Sequence, residues 1–186
     1  AAAGLLADRK FRDGFAWLKE FNLSFDAWLY HPQLTELADL ARVYAGVTII
    51  LDHIGAPLGV GPYAGKRDEV FRVWSEGIAA VATCSNVVVK LGGFGSVRSG
   101  YDWHQREIKP SSTELATVLR PYFEFCIEKF GVERCMFESN FPVEKTSNCY
   151  IVVWNAFKRL TENYSAAERA ALFHDTAARI YRTSPS

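Results

Sequence analysis

Two histidines stand at the ends of two apolar segments of the chain. His53 follows the segment 47–51, and His31 follows the segment 25–30. Imidazole can bind a metal ion and can transfer protons near neutral pH. Because ligands bind at the carboxyl ends of the strands in parallel α/β proteins, this pattern predicts a metal or acid–base site that contains both histidines. The alternative is that each histidine is packed locally and hydrogen-bonds a nearby carbonyl group.

Three more polar residues lie in, or just after, two other apolar segments. Lys90 lies within the segment 87–91, where a buried lysine needs a partner or a polar cavity. We therefore expect Lys90 either to hold a substrate carboxylate or to form a structural ion pair. Glu138 and Asn140 follow the segment 134–137 and share one face by strand alternation.

A long polar and aromatic loop, residues 92–110, follows the third apolar segment. Long loops after barrel strands often carry substrate-binding residues. Arg98, Trp103 and His104 lie in this loop, and we predict that they contact a substrate. The alternative is that they pack on the protein surface.

Hydrophobic periodicity places these residues on four strand–helix units. The predicted strands are 24–30, 47–51, 87–91 and 134–137, and the predicted helices are 8–21, 33–44, 68–83, 111–130, 147–163, 165–173 and 175–182. Strands that alternate with helices form a parallel α/β sheet, and four such units amount to half of an eight-stranded barrel. A small doubly wound sheet is the alternative, but no glycine-rich phosphate-binding turn follows the first predicted strand.

The composition is that of a globular domain without a strong charge. The 186 residues include 21 Lys and Arg and 21 Asp and Glu, so the net charge is zero. We therefore expect a small-molecule substrate, no nucleic-acid partner and no membrane partner, with homo-oligomer formation left open. The four cysteines form no CxxC pair and are predicted to be free thiols in a reducing cytoplasm.

Four sequence motifs occur in order along the chain, over residues 25–34, 51–57, 86–93 and 134–143. Together they resemble the carboxyl-terminal part of the amidohydrolase-related (amidohydrolase 2) TIM-barrel metal-dependent hydrolases, a group that includes sugar-acid lactonases. The resemblance implies one partial domain over residues 1–186, the carboxyl-terminal half (about four βα units) of a (β/α)8 barrel. It also implies that the family's first-strand His-x-His pair lies in a missing amino-terminal part.

The resemblance implies a hydrolase that acts on a small lactone or a similar carbonyl compound. A metal-dependent decarboxylase on the same barrel and a non-catalytic, incomplete barrel fragment are the alternatives. A half barrel is also expected to leave one apolar face of its sheet uncovered, which favours self-association.

The resemblance also implies roles for individual residues. His53 corresponds to the sixth-strand histidine, a metal ligand or acid–base group, and His31 is the next candidate ligand. The family's last-strand motif is Gly-Ser-Asp-Trp-Pro, and here Asn140 stands in place of its aspartate. Because an amide is uncharged and cannot accept a proton near neutral pH, this exchange weakens both a zinc-like divalent metal site and base catalysis. Glu138 is the candidate to replace the lost carboxylate, and the alternative is that it is a solvated or helix-paired carboxylate.

Overall fold

A computed structural model describes residues 4–183, and its strands and helices alternate along the chain. The strands are β1 Phe25–Ala27, β2 Ile49–Leu51, β3 Val87–Leu91 and β4 Cys135–Phe137. The helices are α1 Arg9–Phe15, α2 Trp17–Glu20, α3 Leu34–Val43, α4 Arg67–Ala82, α5 Ser112–Phe130, α6 Tyr150–Leu160, α7 Ala166–Ala170 and α8 Thr176–Tyr181. The four strands form one parallel sheet in the order β1-β2-β3-β4. This architecture confirms the predicted α/β partial barrel. Residues 1–3 and 184–186 of the predicted domain lie outside the described residues.

The sheet separates two apolar layers because side chains alternate between its faces. On one face, residues such as Ile49 and Val87 pack against the helices in the main core. The largest fully buried side chains of this layer include Trp74, Phe123 and Phe157. Near-continuous apolar strands are typical of a parallel sheet that is covered on both faces.

The second face of the sheet is covered by the last helix. Ile50, Val88 and Met136 point to this face and are at most 3% exposed. Ala177 and Ile180 of α8 pack against them. The expectation of an uncovered apolar face is therefore wrong, because α8 lies across it. The outer edges of β1 and β4 have no neighbouring strand within residues 4–183.

Two elements before α3 differ from the periodicity-based prediction. The predicted helix 8–21 is interrupted at Ala16, which separates α1 from α2. The predicted strand 24–30 ends at Ala27, and a 3-10 turn over His31–Gln33 follows it. The amide of Tyr30 donates to the Gln33 side chain, at 3.3 Å, instead of to a neighbouring strand. This local hydrogen bond ends the strand early and turns the chain before His31.

Candidate active site

A cavity of about 310 Å³ opens where the turns after β2, β3 and β4 meet. Residues from all three turns line it, including His53, Gly93 and Asn140. The other lining residues are Trp28, Tyr30, Ala56, Pro57, Phe94, Ser96, Arg98, Ser99 and Val143. The cavity thus lies at the carboxyl ends of the strands, which is where α/β barrels bind their ligands.

A histidine–carboxylate pair forms the centre of this site. His53 Nδ1 lies 2.5 Å from Glu138 Oε1, and the His53 amide donates to the same oxygen at 3.1 Å. The two side chains are 15% and 17% exposed. A carboxylate at Nδ1 keeps a proton on that nitrogen, so Nε2 is left as the proton acceptor. Glu138 therefore fixes both the orientation and the tautomer of His53.

The electrostatic surroundings favour the protonated form of His53. Burial by itself lowers the pKa of His53. The hydrogen bond to Glu138 and the charges of Glu138, Asp52 and Glu144 outweigh burial and raise that pKa above its ordinary value of 6.5. Burial raises the pKa of Glu144 to about 7, despite the hydrogen bonds that its carboxyl accepts from Asn140 and Gly95. The charges of Glu138, Asp52 and Glu144 thus influence the protonation of the His53 imidazole.

The turn that carries His53 has an uncommon backbone conformation. His53, Ile54, Gly55 and Ala56 have consecutive positive φ angles of 55°, 51°, 71° and 35°. Such a run is costly for residues other than glycine and persists only where neighbouring groups hold it. The buried indole of Trp74 in α4 donates to the Ile54 carbonyl at 2.7 Å. This hydrogen bond holds the turn from behind.

Glycine is required where β3 ends against this turn. Gly93 has a φ of 71°, and a Cβ atom added to it would lie 2.3 Å from His53 Cγ. A Cβ atom on Gly92 would lie 2.1 Å from the Glu138 carbonyl oxygen. The two glycines therefore allow the imidazole and its carboxylate partner to pack directly against the backbone after β3.

In the structure, Lys90 forms ion pairs with two aspartates. Its Nζ atom lies 2.6 Å from Asp26 Oδ1 and 2.8 Å from Asp52 Oδ1. Burial lowers the pKa of Lys90, but the hydrogen bonds to the two aspartates and to Tyr181 raise it further than burial lowers it. Lys90 is absent from the cavity lining and stays charged in an ion-pair network. The register of the strands causes this, because Lys90 and Asp26 point to the same face of the sheet.

The structure does not bring His31 to the cavity. His31 is 3% exposed, its Nδ1 accepts a hydrogen bond from the Leu58 amide at 3.3 Å, and its ring packs against Tyr63. Burial lowers the pKa of His31 to about 4, so the ring is neutral near neutral pH. His31 is therefore packed locally, between the Leu58 amide and the Tyr63 ring, and it does not line the cavity that contains His53.

The loop residues divide into two groups. Arg98 lines the cavity, with its guanidinium 5.6 Å from the centroid of the Trp28 ring. Trp103 is 3% exposed and stacks on Tyr101 at 4.7 Å. Trp103 and His104 are not in the lining, because their loop segment packs on its own aromatic cluster and its carbonyls accept from Lys109.

Sequence reasoning missed several residues of the site. Trp28 and Tyr30 form one wall of the cavity, with ring centroids 5.3 Å apart. Trp74 is fully buried in the main core, and its contact with the His53 turn has no signal in the periodicity. The Gly-Gly pair directly after β3 is a signal that could have identified Gly93, because paired glycines at a strand end indicate close backbone approach.

The donor set at the cavity does not form a complete metal site. One imidazole is present, its Nδ1 is held by Glu138, and the neighbouring Asn140 side chain is neutral. No group of three His, Cys, Asp or Glu side chains with metal-binding geometry occurs within residues 4–183. Divalent metals in such sites take several nitrogen and carboxylate ligands. The described residues therefore do not fit a metal on their own.

The sequence as a whole matches a known family. A family model for amidohydrolases (amidohydrolase 2) matches residues 2–183. The chain belongs to the amidohydrolase family. This amidohydrolase is 39% identical over 173 residues to the uncharacterized protein y4mH of Sinorhizobium fredii, across 93% of the chain and 52% of that protein. It is 29% identical over 175 residues to an L-fucono-1,5-lactonase of Burkholderia multivorans, across 94% of the chain and 56% of the lactonase.

Solved structures of amidohydrolases share the fold. A crystal structure of an amidohydrolase from Burkholderia multivorans with bound HEPES has a TM-score of 0.83 and 27% identity, over 96% of this chain and 60% of that chain. A second crystal form of that amidohydrolase contains bound zinc, with a TM-score of 0.82. The chain spans about half the length of the curated relatives that it matches. These similarities confirm the predicted family and the partial barrel.

Proposed function

We propose that this amidohydrolase chain carries the acid–base residues of an active site that hydrolyses a small lactone or a related carbonyl compound. The observation that carries the proposal is the His53–Glu138 pair at the wall of the cavity. The printed name of the Burkholderia multivorans relative, L-fucono-1,5-lactonase, supports a cyclic ester as the substrate class.

The geometry suits general-base catalysis by His53. Nε2 of His53 accepts a proton from water as the water oxygen attacks the lactone carbonyl carbon. Glu138 accepts the Nδ1 hydrogen and stabilises the imidazolium that forms. When the ring carbon–oxygen bond breaks, the imidazolium returns the proton to the ring oxygen. The product is the open hydroxy acid, and His53 is neutral again.

The cavity lining indicates what kind of molecule it binds. Its volume of about 310 Å³ is at the small end of ligand pockets and suits a single ring with substituents. Trp28 and Tyr30 provide an aromatic wall for an apolar ring face. Among the described residues that line the cavity, Arg98 is the only lysine or arginine. It can bind a carboxylate or stabilise the charge that develops on the carbonyl oxygen.

No step of this mechanism uses a metal, because the described donors do not fit one. Zinc is bound in the Burkholderia multivorans structure, and a metal supplies Lewis-acid activation of a carbonyl where it is bound. We propose that metal binding by this amidohydrolase requires ligands beyond residues 4–183. Asn140 leaves the described part without the carboxylate that the family motif supplies at this position.

We further propose that the protein acts on its small-molecule substrate in the cytoplasm. All four cysteines are free, and Cys84, Cys126 and Cys135 are buried while Cys149 is exposed. Free thiols persist in reducing compartments. Within residues 4–183, none of the helices has both the length and the apolar composition to cross a membrane.

A hydrolysis assay tests the proposed function. The purified chain is given L-fucono-1,5-lactone, and acid release is followed with a pH indicator and corrected for spontaneous opening. We expect turnover that falls by about 100-fold or more in His53→Ala, because a general base contributes about 10²–10⁴-fold. His174→Ala is the matched control, since His174 is exposed and pairs only with Asp175 among its described contacts. Unchanged turnover in His53→Ala, or no turnover of the lactone by the wild-type chain, would refute the proposal.

A further inference from the structure

A second polar cluster lies directly behind the cavity wall, in the segment between β4 and α6. Asn140, Glu144 and Asn148 are spaced four residues apart, and the Glu144 and Asn148 amides donate to the carbonyls of Asn140 and Glu144. The three side chains therefore follow one side of this segment. Asn140 is the member that reaches the cavity.

Glu144 is a buried carboxyl group that faces Asn140. The residue is 5% exposed. Its Oε1 accepts a hydrogen bond from Asn140 Nδ2 at 3.4 Å, and the Gly95 amide also donates to its carboxyl group. In the structure the amide of Asn140 presents its nitrogen to Glu144, which suits the ionised form of that carboxyl group because a carboxylate only accepts hydrogen bonds. The amide oxygen Oδ1 of Asn140 then points away from Glu144.

Asn148 supplies an independent indication that this cluster holds a ligand. It is 2% exposed, and neither polar atom of its side chain has a hydrogen-bond partner within residues 4–183. A Cβ atom on Gly95 would lie 2.2 Å from Asn148 Nδ2 and 2.5 Å from Glu144 Oε2, so both side chains border Gly95. A void of about 10 Å³ borders Glu144 and Glu138, and the rest of its lining is glycine backbone and apolar side chains such as Phe123. This volume is about that of one water molecule, and such a site needs two or more polar partners.

We propose that Glu144 is a positioning residue that directs the Asn140 amide oxygen into the cavity, and that the Gly95 amide and one buried water hold the Glu144 carboxyl group in place. The inference rests on the proposed hydrolysis, because the Asn140 oxygen then accepts a hydrogen bond from the water that His53 deprotonates. Asn140 has a φ of 48°, a left-handed conformation that asparagine tolerates better than most residues. The family aspartate would face Glu144 with a second carboxyl group, whereas asparagine pairs with it.

The first test measures the Asn140 amide directly and needs no substrate. In an NMR spectrum of the nitrogen-15-labelled chain, the side-chain amide of Asn140 is assigned from its loss in Asn140→Ala. We expect a downfield, slowly exchanging amide proton in the wild-type chain and in Glu144→Gln, which keeps an acceptor oxygen. In Glu144→Leu, which removes the acceptor, the Asn140 amide proton should lose its downfield chemical shift. An unchanged Asn140 signal in Glu144→Leu would overturn the inference.

The second test measures lactone turnover. We expect Glu144→Leu to lower kcat by about 10–100-fold with little change in KM, the range seen when groups that orient a functional side chain are removed. Glu144→Gln should keep kcat within about 3-fold, since it keeps the acceptor. Glu36→Leu is the matched control, because Glu36 is a half-buried glutamate in α3 that does not line the cavity. Equal losses in Glu144→Gln and Glu144→Leu would show that the charge matters instead of the acceptor and would contradict the positioning role.

The two tests separate failure of the inference from failure of the proposed function. If the chain opens no lactone but the Asn140 signal depends on the residue at position 144, the positioning role stands and the hydrolase proposal fails. If the chain hydrolyses the lactone but the Asn140 signal is the same in all Glu144 variants, the hydrolase proposal stands and the positioning role fails. If Glu144→Leu does not fold, the Glu144→Gln spectrum decides, since loss of the Asn140 shift there overturns the inference and its retention supports it.

Discussion

The close approach of Gly93 to the His53 ring makes a sharp prediction for Gly93→Ala. The new Cβ atom would lie 2.3 Å from His53 Cγ, whereas ordinary van der Waals contact begins at 3.4 Å. Backbone on both sides limits how far Gly93 can move, so the ring must move by about 1 Å. The 2.5 Å contact between His53 and Glu138 cannot survive that displacement. A misplacement of about 1 Å at a reacting group costs about 100-fold in rate.

The protein contains a matched control for the strain that alanine introduces. Gly65 has a φ of 74°, close to the 71° of Gly93, but nothing lies within 4 Å of a Cβ atom added to it. A left-handed alanine costs about 1–2 kcal/mol at either position. Gly65→Ala therefore reproduces the backbone strain without touching His53. The difference between the two variants measures displacement of the ring.

The assay combines lactone turnover with the proton spectrum of the chain. We expect both variants to unfold at a lower temperature than the wild type, and only Gly93→Ala to lose about 100-fold in kcat/KM. A low-field Nδ1 proton from the short His53–Glu138 hydrogen bond should be present in Gly65→Ala and absent in Gly93→Ala. Gly93→Ala with wild-type turnover and an intact low-field proton would refute this reasoning.

Two further predictions concern the groups that hold His53. Trp74→Phe leaves the buried Ile54 carbonyl without its indole donor, so we expect a loss of about 1–3 kcal/mol in unfolding free energy and a lower kcat. Trp154→Phe is the control, since the Trp154 indole nitrogen has no partner in the described residues; equal effects in both would contradict the argument. Because Glu138 raises the pKa of His53, the acid limb of the kcat/KM profile should lie above pH 6.5 and move to lower pH in Glu138→Gln. An acid limb that stays in place would exclude His53 as the titrating base.

The sequence by itself determined the arrangement of strands and helices. The apolar segments alternate with amphipathic segments. A parallel sheet covered by helices buries the apolar strands and the apolar faces of the helices together. His53 was found because it follows such a segment, and the structure places it in the cavity wall. Asn140 was identified from the family motif after β4, and Glu138 as the carboxylate that shares its strand face. The strand and helix predictions succeed because periodicity depends on the local alternation of side chains, which the sequence displays directly.

Only the tertiary structure decided which of these residues act together. His53 and Glu138 are 85 residues apart, and their contact depends on the left-handed turn after β2 as well as on the glycines after β3. His31 follows its strand just as His53 does, yet the turn after β1 packs its ring against Tyr63. The pairing of Lys90 with Asp26 depends on strand register. Register, turn conformation and the path of α8 arise from packing of the whole chain, so no local pattern contains them.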